Sequence, residues 1–187
     1  MSDPRANRRP RTPEREVVRS AARFLEGAGY RVYTNPDASD YFDLVARRGE
    51  EVGLVEAKVS GSRAVLAQAL RRRAWGDWVA VVLPSPRAAE RLVTRTAGTR
   101  AAPVGVWVAD DAGRVRVLRE ATRWVRPGDD DPFAELRGRF RSVLDRIDSG
   151  ELPVDVRWAG VVGSVRRASG GRGFKEWRLD EPPGRDR

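Results

Sequence analysis

Across residues 12–29, apolar side chains recur every three to four positions, with Val17, Ala21, Phe24, Leu25 and Ala28 on one stripe. That period predicts an amphipathic helix, with Thr12 as N-cap, Pro13 at the first helical position and Gly29 as its stop. The period then shortens to two. Residues 30–34 (YRVYT) read as a short strand, followed by the polar loop NPDASD. Residues 42–47 (FDLVAR) and 51–59 (EVGLVEAKV) alternate on either side of a tight Arg48-Gly49-Glu50 turn and predict a β-hairpin. Residues 62–73 form a helix with Val65, Leu66, Ala69 and Leu70 inward, and the unbroken apolar run 78–83 (WVAVVL) is a strand buried on both faces. A helix after Pro86, a strand at 104–109, a turn at 111–113 and a strand at 115–118 complete the order αβββαβαββ. This is an α/β core over residues 12–125, a mixed sheet flanked by helices. Trp75, Trp78 and Trp107 belong to its interior.

The pattern changes at 126–132 (RPGDDDP), a linker by composition. Beyond it, Phe133, Leu136, Phe140, Val143, Leu144 and Ile147 mark an amphipathic helix ending at Gly150, and Trp158, Val161, Val162 and Val165 mark a second. A Gly-rich turn leads to an alternating strand at 174–179. Residues 133–180 are therefore expected to form a small C-terminal α/β module, a helical, winged-helix-like extension for DNA binding or dimerisation, with a tail at 181–187. Residues 1–11 lack periodicity and read as a disordered basic arm.

Composition narrows the chemistry. The 187 residues carry a net charge of +9 and contain no cysteine and no histidine. Disulfides, zinc fingers, histidine-dependent nucleases, Ser-His-Asp triads and Cys-His chemistry are all excluded. A bound metal must take oxygen ligands, which suits Mg²⁺ or Mn²⁺. The positive charge favours a polyanion, DNA first, because neutralising phosphates releases condensed counterions. No apolar run is long enough to span a membrane and no signal-peptide pattern opens the chain, so a cytoplasmic protein is expected.

Alternation along residues 54–59 puts Leu54, Glu56 and Lys58 on one face of a strand, and the turn folds Asp43 back beside Glu56. Two carboxylates and an ammonium meet the needs of phosphodiester hydrolysis. Asp43 and Glu56, with the Ala57 carbonyl, would hold the metal, and Lys58 would orient the attacking water or stabilise the transition state. Lysine occurs only at Lys58 and Lys175 among 36 basic residues, so an ammonium at this position suggests a specific need for it.

The spacing D43-(x12)-E56-A57-K58, on a hairpin between a leading and a following helix, resembles the PD-(D/E)XK nuclease superfamily over roughly residues 12–125. The stretch YFDLVARRGEEVGLVEAKV is similar to archaeal Holliday junction resolvases and Mrr-like restriction endonucleases. The resemblance implies a restriction-endonuclease-like fold, an auxiliary acid on the first helix, for which Glu16 fits best with Glu14 as competitor, and a glutamine on the following helix, for which Gln68 fits. The sequence departs from the family in having Phe42, not proline, before Asp43. A literal Pro36-Asp37 lies in a turn-forming loop and is read as a decoy.

Plainer readings stand beside these. The Glu56/Lys58 pair also suits a half-exposed hairpin, and Glu16 an ordinary first-turn carboxylate. Arg71, Arg72 and Arg73 suit either a solvated helix end or phosphate contact. Arg166, Arg167, Arg172, Lys175 and Arg178 would give a basic turn and strand able to grip a DNA backbone, or a module that packs on the core or mediates dimerisation. The sequence thus points to a Mg²⁺-dependent DNA endonuclease, and a homodimer would supply two sites for cutting both strands. Its rivals are a catalytically inactive DNA-binding or regulatory protein on the same fold, and a module whose partner is another protein.

Overall fold

The computed structural model describes residues 13–34, 41–61, 63–124, 131–154 and 157–168. The described chain begins with α1 (Glu14–Gly27), then β1 (Arg31–Tyr33), β2 (Leu44–Arg48), β3 (Glu51–Ala57), α2 (Arg63–Arg72), β4 (Trp78–Leu83), α3 (Pro86–Thr96), β5 (Gly105–Ala109), β6 (Val115–Arg119), α4 (Ala134–Asp148) and α5 (Trp158–Ala168). The strands form one open, mixed six-stranded sheet in sequence order. β1, β2 and β3 are an antiparallel meander, β4 and β5 run parallel to β3, and β6 returns antiparallel at the far edge.

Local chemistry explains the turns. α1 closes as its sequence predicts: Gly29 takes φ of 81°, the Tyr30 N–H reaches the Leu25 carbonyl at 3.0 Å and the Gly29 N–H the Glu26 carbonyl at 3.0 Å, the paired bonds of a Schellman stop. The hairpin turns on Gly49 and Glu50, flanked by the Arg48–Glu51 pair, with positive φ at Gly49.

Each face of the sheet has its own apolar layer. Among the described residues, α1 alone covers one face, packing Val17, Val18, Ala21 and Leu25 against Leu44, Val55, Trp78, Val82 and Trp107. α2 to α5 cover the other, where Val65, Leu66, Leu92, Phe140, Leu144, Trp158 and Val162 join Val45, Leu54, Val79, Val81 and Val106 in one cluster. Covering on both sides is why β4 is buried throughout.

The two helices expected in a C-terminal module thus belong to the core layer that also holds β2, β3 and β4. Ion pairs fix α4 there. Asp148 accepts from the Tyr33 hydroxyl at 2.6 Å and pairs with Arg47 at 3.2 Å, and Arg141 grips Asp77 at 2.8 and 3.0 Å. The strand expected at 174–179, with Arg172, Lys175 and Arg178, lies outside the described residues, as do the N-terminal arm, Pro36-Asp37, most of the expected linker, and the tail.

Candidate functional site

Two strand boundaries differ from the sequence reading, and both differences shape the site. β2 starts at Leu44, so Asp43 sits one residue ahead of it; β3 ends at Ala57, so Lys58 lies just beyond. The Asp43 carboxylate accounts for the first. Its Oδ2 accepts the Ala57 N–H at 2.8 Å, taking a donor that a longer β2 would otherwise pair. One step beyond the Leu44–Val55 pair, the register brings Asp43 level with Glu56. The Lys58 N–H still bonds the Val82 carbonyl at 3.1 Å, which ties this end of β3 to β4.

Past the strand end, the Lys58 side chain no longer follows the Leu54–Glu56 face. Its Nζ donates to Glu14 Oε1 at 2.9 Å and to Asp43 Oδ2 at 3.3 Å. Glu14 opens α1, the helix on the opposite face of the sheet from α2. Burial pulls the Lys58 ammonium down, but the Glu14 hydrogen bond and the charges of Asp43, Glu14 and Glu56 outweigh it and hold its pKa above the ordinary lysine value.

Glu56 points the other way, into the layer under α2. It is 3% exposed, and its Oε1 accepts the Arg72 Nε at 2.6 Å. Arg72 is itself 8% exposed, its guanidinium 3.6 Å from the centre of the Tyr41 ring and 5.3 Å from that of Phe42. Burial pushes the Glu56 carboxyl up, Arg72 pulls it down and the nearby Asp43 charge pushes it up again, leaving it raised. The site is therefore two linked halves, Asp43–Lys58–Glu14 and Glu56–Arg72, with Asp43 within electrostatic reach of Glu56.

The remaining expected residues scatter around these. Glu16, preferred from the sequence, is exposed on the outer face of α1, while its competitor Glu14 is the one that bonds the lysine. Gln68 is half-buried, one turn before Arg72 on the same face of α2. Arg71 is exposed. Arg72, expected at a solvated helix end or on phosphate, is instead the buried partner of Glu56. Arg73 is half-buried, 5.7 Å from the ring centres of Trp124 and Phe133, and its carbonyl accepts from Arg137. Arg166 and Arg167 lie on the last turns of α5, whose side chains are described only as far as Val165.

Signals for these two pairings were present. Glu14 precedes Val17, Val18 and Ala21 by three, four and seven residues, on the buried stripe of α1, whereas Glu16 aligns with Arg19 and Arg23. Arg72 likewise continues the Val65–Ala69 stripe of α2.

The donor set suits Mg²⁺ or Mn²⁺ in kind, since all its ligating atoms are oxygens and the mutual repulsion of Asp43 and Glu56 is what a cation between them relieves. Among the described residues no three acidic side chains are grouped so as to hold a metal ion together, and Arg72 already neutralises Glu56. No helix among them is long and apolar enough to cross a membrane. No protein-family model, no curated protein and no solved structure matches the chain.

Proposed function

We propose that the chain is a metal-dependent DNA endonuclease on a restriction-endonuclease-like core of the PD-(D/E)XK kind. The observation that carries this is the Lys58 ammonium, fixed by Asp43 and Glu14 at the sheet end where Glu56 also lies. The leading helix, the antiparallel meander bearing Asp43 and Glu56-Ala57-Lys58, the following helix and the parallel fourth strand support the same reading. Asp43, Glu56 and the Ala57 carbonyl would hold Mg²⁺ or Mn²⁺, which when bound polarises the phosphate and acidifies a water.

The remaining roles belong to the chain. Its carboxylate neighbours hold the Lys58 pKa above the ordinary lysine value. Hydrogen-bonded to Glu14 and Asp43, the ammonium is placed to donate to the phosphate oxygen on which charge builds. Glu14 and Asp43 aim it. The Ala57 N–H fixes Asp43 in turn.

The Arg72–Glu56 pair favours a second reading, because a carboxylate neutralised by a buried guanidinium needs no cation. In that version the protein binds DNA without cutting it. A screen of plasmid, branched and single-stranded DNA in Mg²⁺ and Mn²⁺ separates the two. The nuclease reading expects cleavage by the parent that Asp43→Ala abolishes while DNA binding persists; salt-sensitive binding with no cleavage in either metal establishes the second.

A further inference from the structure

α3 carries a row of arginines that the candidate site does not use. Arg87, Arg91 and Arg95 fall at successive four-residue steps and are all exposed, so their guanidiniums project about 6 Å apart along the axis. The layer beneath is apolar, with Ala89 and Leu92 buried against the sheet. Among the described residues no carboxylate pairs with any of the three, whereas each of the four arginines of α4 has an acidic partner. An open concavity of about 440 Å³ lies against this face, lined by the three arginines with Glu90 and Thr94.

The row also starts in a telling place. α3 begins three residues after the end of β4, whose Val82 carbonyl holds the Lys58 N–H. The chain just past Lys58 packs on its first turn, where a Cβ added to Gly61 would stand 3.1 Å from the Ala88 carbonyl. The N-terminal end of the row, Arg87, thus lies on the turn of α3 that packs against the chain just past Lys58.

We infer that α3 is a nucleic-acid backbone track, with Arg87, Arg91 and Arg95 each taking a phosphate of a DNA strand. Arginine's planar fork suits phosphate bidentately, and a charge with no internal partner keeps its full attraction for one. The face carries none of the exposed Trp, Phe or Leu that an interfacial membrane helix or a helix seated in a protein groove requires. α1 bears a similar row, Arg15, Arg19 and Arg23, also without an ion-pair partner among the described residues, but it shares its exposed face with two carboxylates, Glu16 and Glu26, against Glu90 beside the α3 row, and Arg23 lies over Gly113 of the β5–β6 turn. It serves as the comparison. The inference rests on the nuclease reading only for the choice of DNA.

The test is duplex binding by the full chain in EDTA, followed by anisotropy between about 50 and 200 mM salt. Arg87→Gln/Arg91→Gln/Arg95→Gln is expected to weaken binding and to lower the slope of log K against log salt by about 2–3. The corresponding lysine triple should keep the parental slope, and Arg15→Gln/Arg19→Gln/Arg23→Gln should change it by less than about 1. Thermal melts verify that the exposed substitutions leave the fold intact. A parental slope in the α3 glutamine variant, a loss no larger than that of the α1 variant, or tighter binding to polyglutamate or phosphatidylserine vesicles than to duplex overturns the inference. Cleavage is scored separately. A parent that binds through α3 but never cuts sinks only the nuclease reading, and one that cuts with an α3-independent slope sinks only the track.

Discussion

Lys58 draws both partners from earlier in the chain, 15 residues back to Asp43 and 44 back to Glu14. Losing a hydrogen bond to a charged group costs about 1.5–3 kcal/mol, so Glu14→Gln should slow metal-dependent cleavage roughly tenfold to a hundredfold. Glu16→Gln should leave the rate within about twofold, since an exposed carboxylate away from the site contributes little. Single-turnover assays of the two variants decide between them. The buried half of the site answers to stability. With Glu56 left unpaired in the apolar layer, Arg72→Met should destabilise the fold by about 3–5 kcal/mol at pH 8. Without the guanidinium the Glu56 pKa rises further, so the loss should shrink at pH 5, where the carboxyl takes up a proton. Urea denaturation at both pH values reads this, and an equal loss at each would count against a charged Glu56. The residue types of the site were legible from spacing and composition; their pairings were not. Period-two alternation groups Glu56 with Lys58 only while the strand continues, and β3 ends at Ala57.

At the scale of elements, hydrophobic periodicity recovers the strand and helix order through β6 because each segment's period is strong and its breaks carry Gly or Pro. What it does not recover is where α4 and α5 pack. Their stripes announce burial without naming the surface, and the contacts that choose it, Asp148 with Tyr33 and Arg47, and Arg141 with Asp77, are polar and distant in sequence. One close approach within the sheet was equally silent. The Trp78 indole lies over Gly53 on the neighbouring strand, where an added Cβ would meet the ring at 1.9 Å. Gly53→Ala should therefore cost about 1–3 kcal/mol or more through overpacking, and pairing it with Trp78→Leu should restore part of the loss. Thermal melts of the single and double variants check it, and a Gly53→Ala protein as stable as the parent would show that the ring moves freely.

For the molecule as a whole, alkaline pH is the revealing direction. Burial, with the hydrogen bond to Asp148, raises the Tyr33 hydroxyl well above its usual value, and Lys58 is raised by its carboxylates against the pull of burial. Both groups hold their protons more tightly in the folded state. Their stabilisation is thus complete below the unfolded values near about pH 10 and is lost as pH rises beyond them. Stability should be flat in this respect up to about pH 10 and then fall, less steeply in Tyr33→Phe, as denaturant melts at rising pH would record. The same ammonium that titrates so late is the group on which the functional reading turns. The most direct test is the single-turnover cleavage rate of the parent and Lys58→Ala in Mg²⁺, on a DNA substrate that both bind equally. The expected result is cleavage by the parent and a loss of about 10²–10³-fold in the variant, the scale of removing one transition-state donor. Equal cleavage by both proteins would contradict the assignment of Lys58 to the reaction.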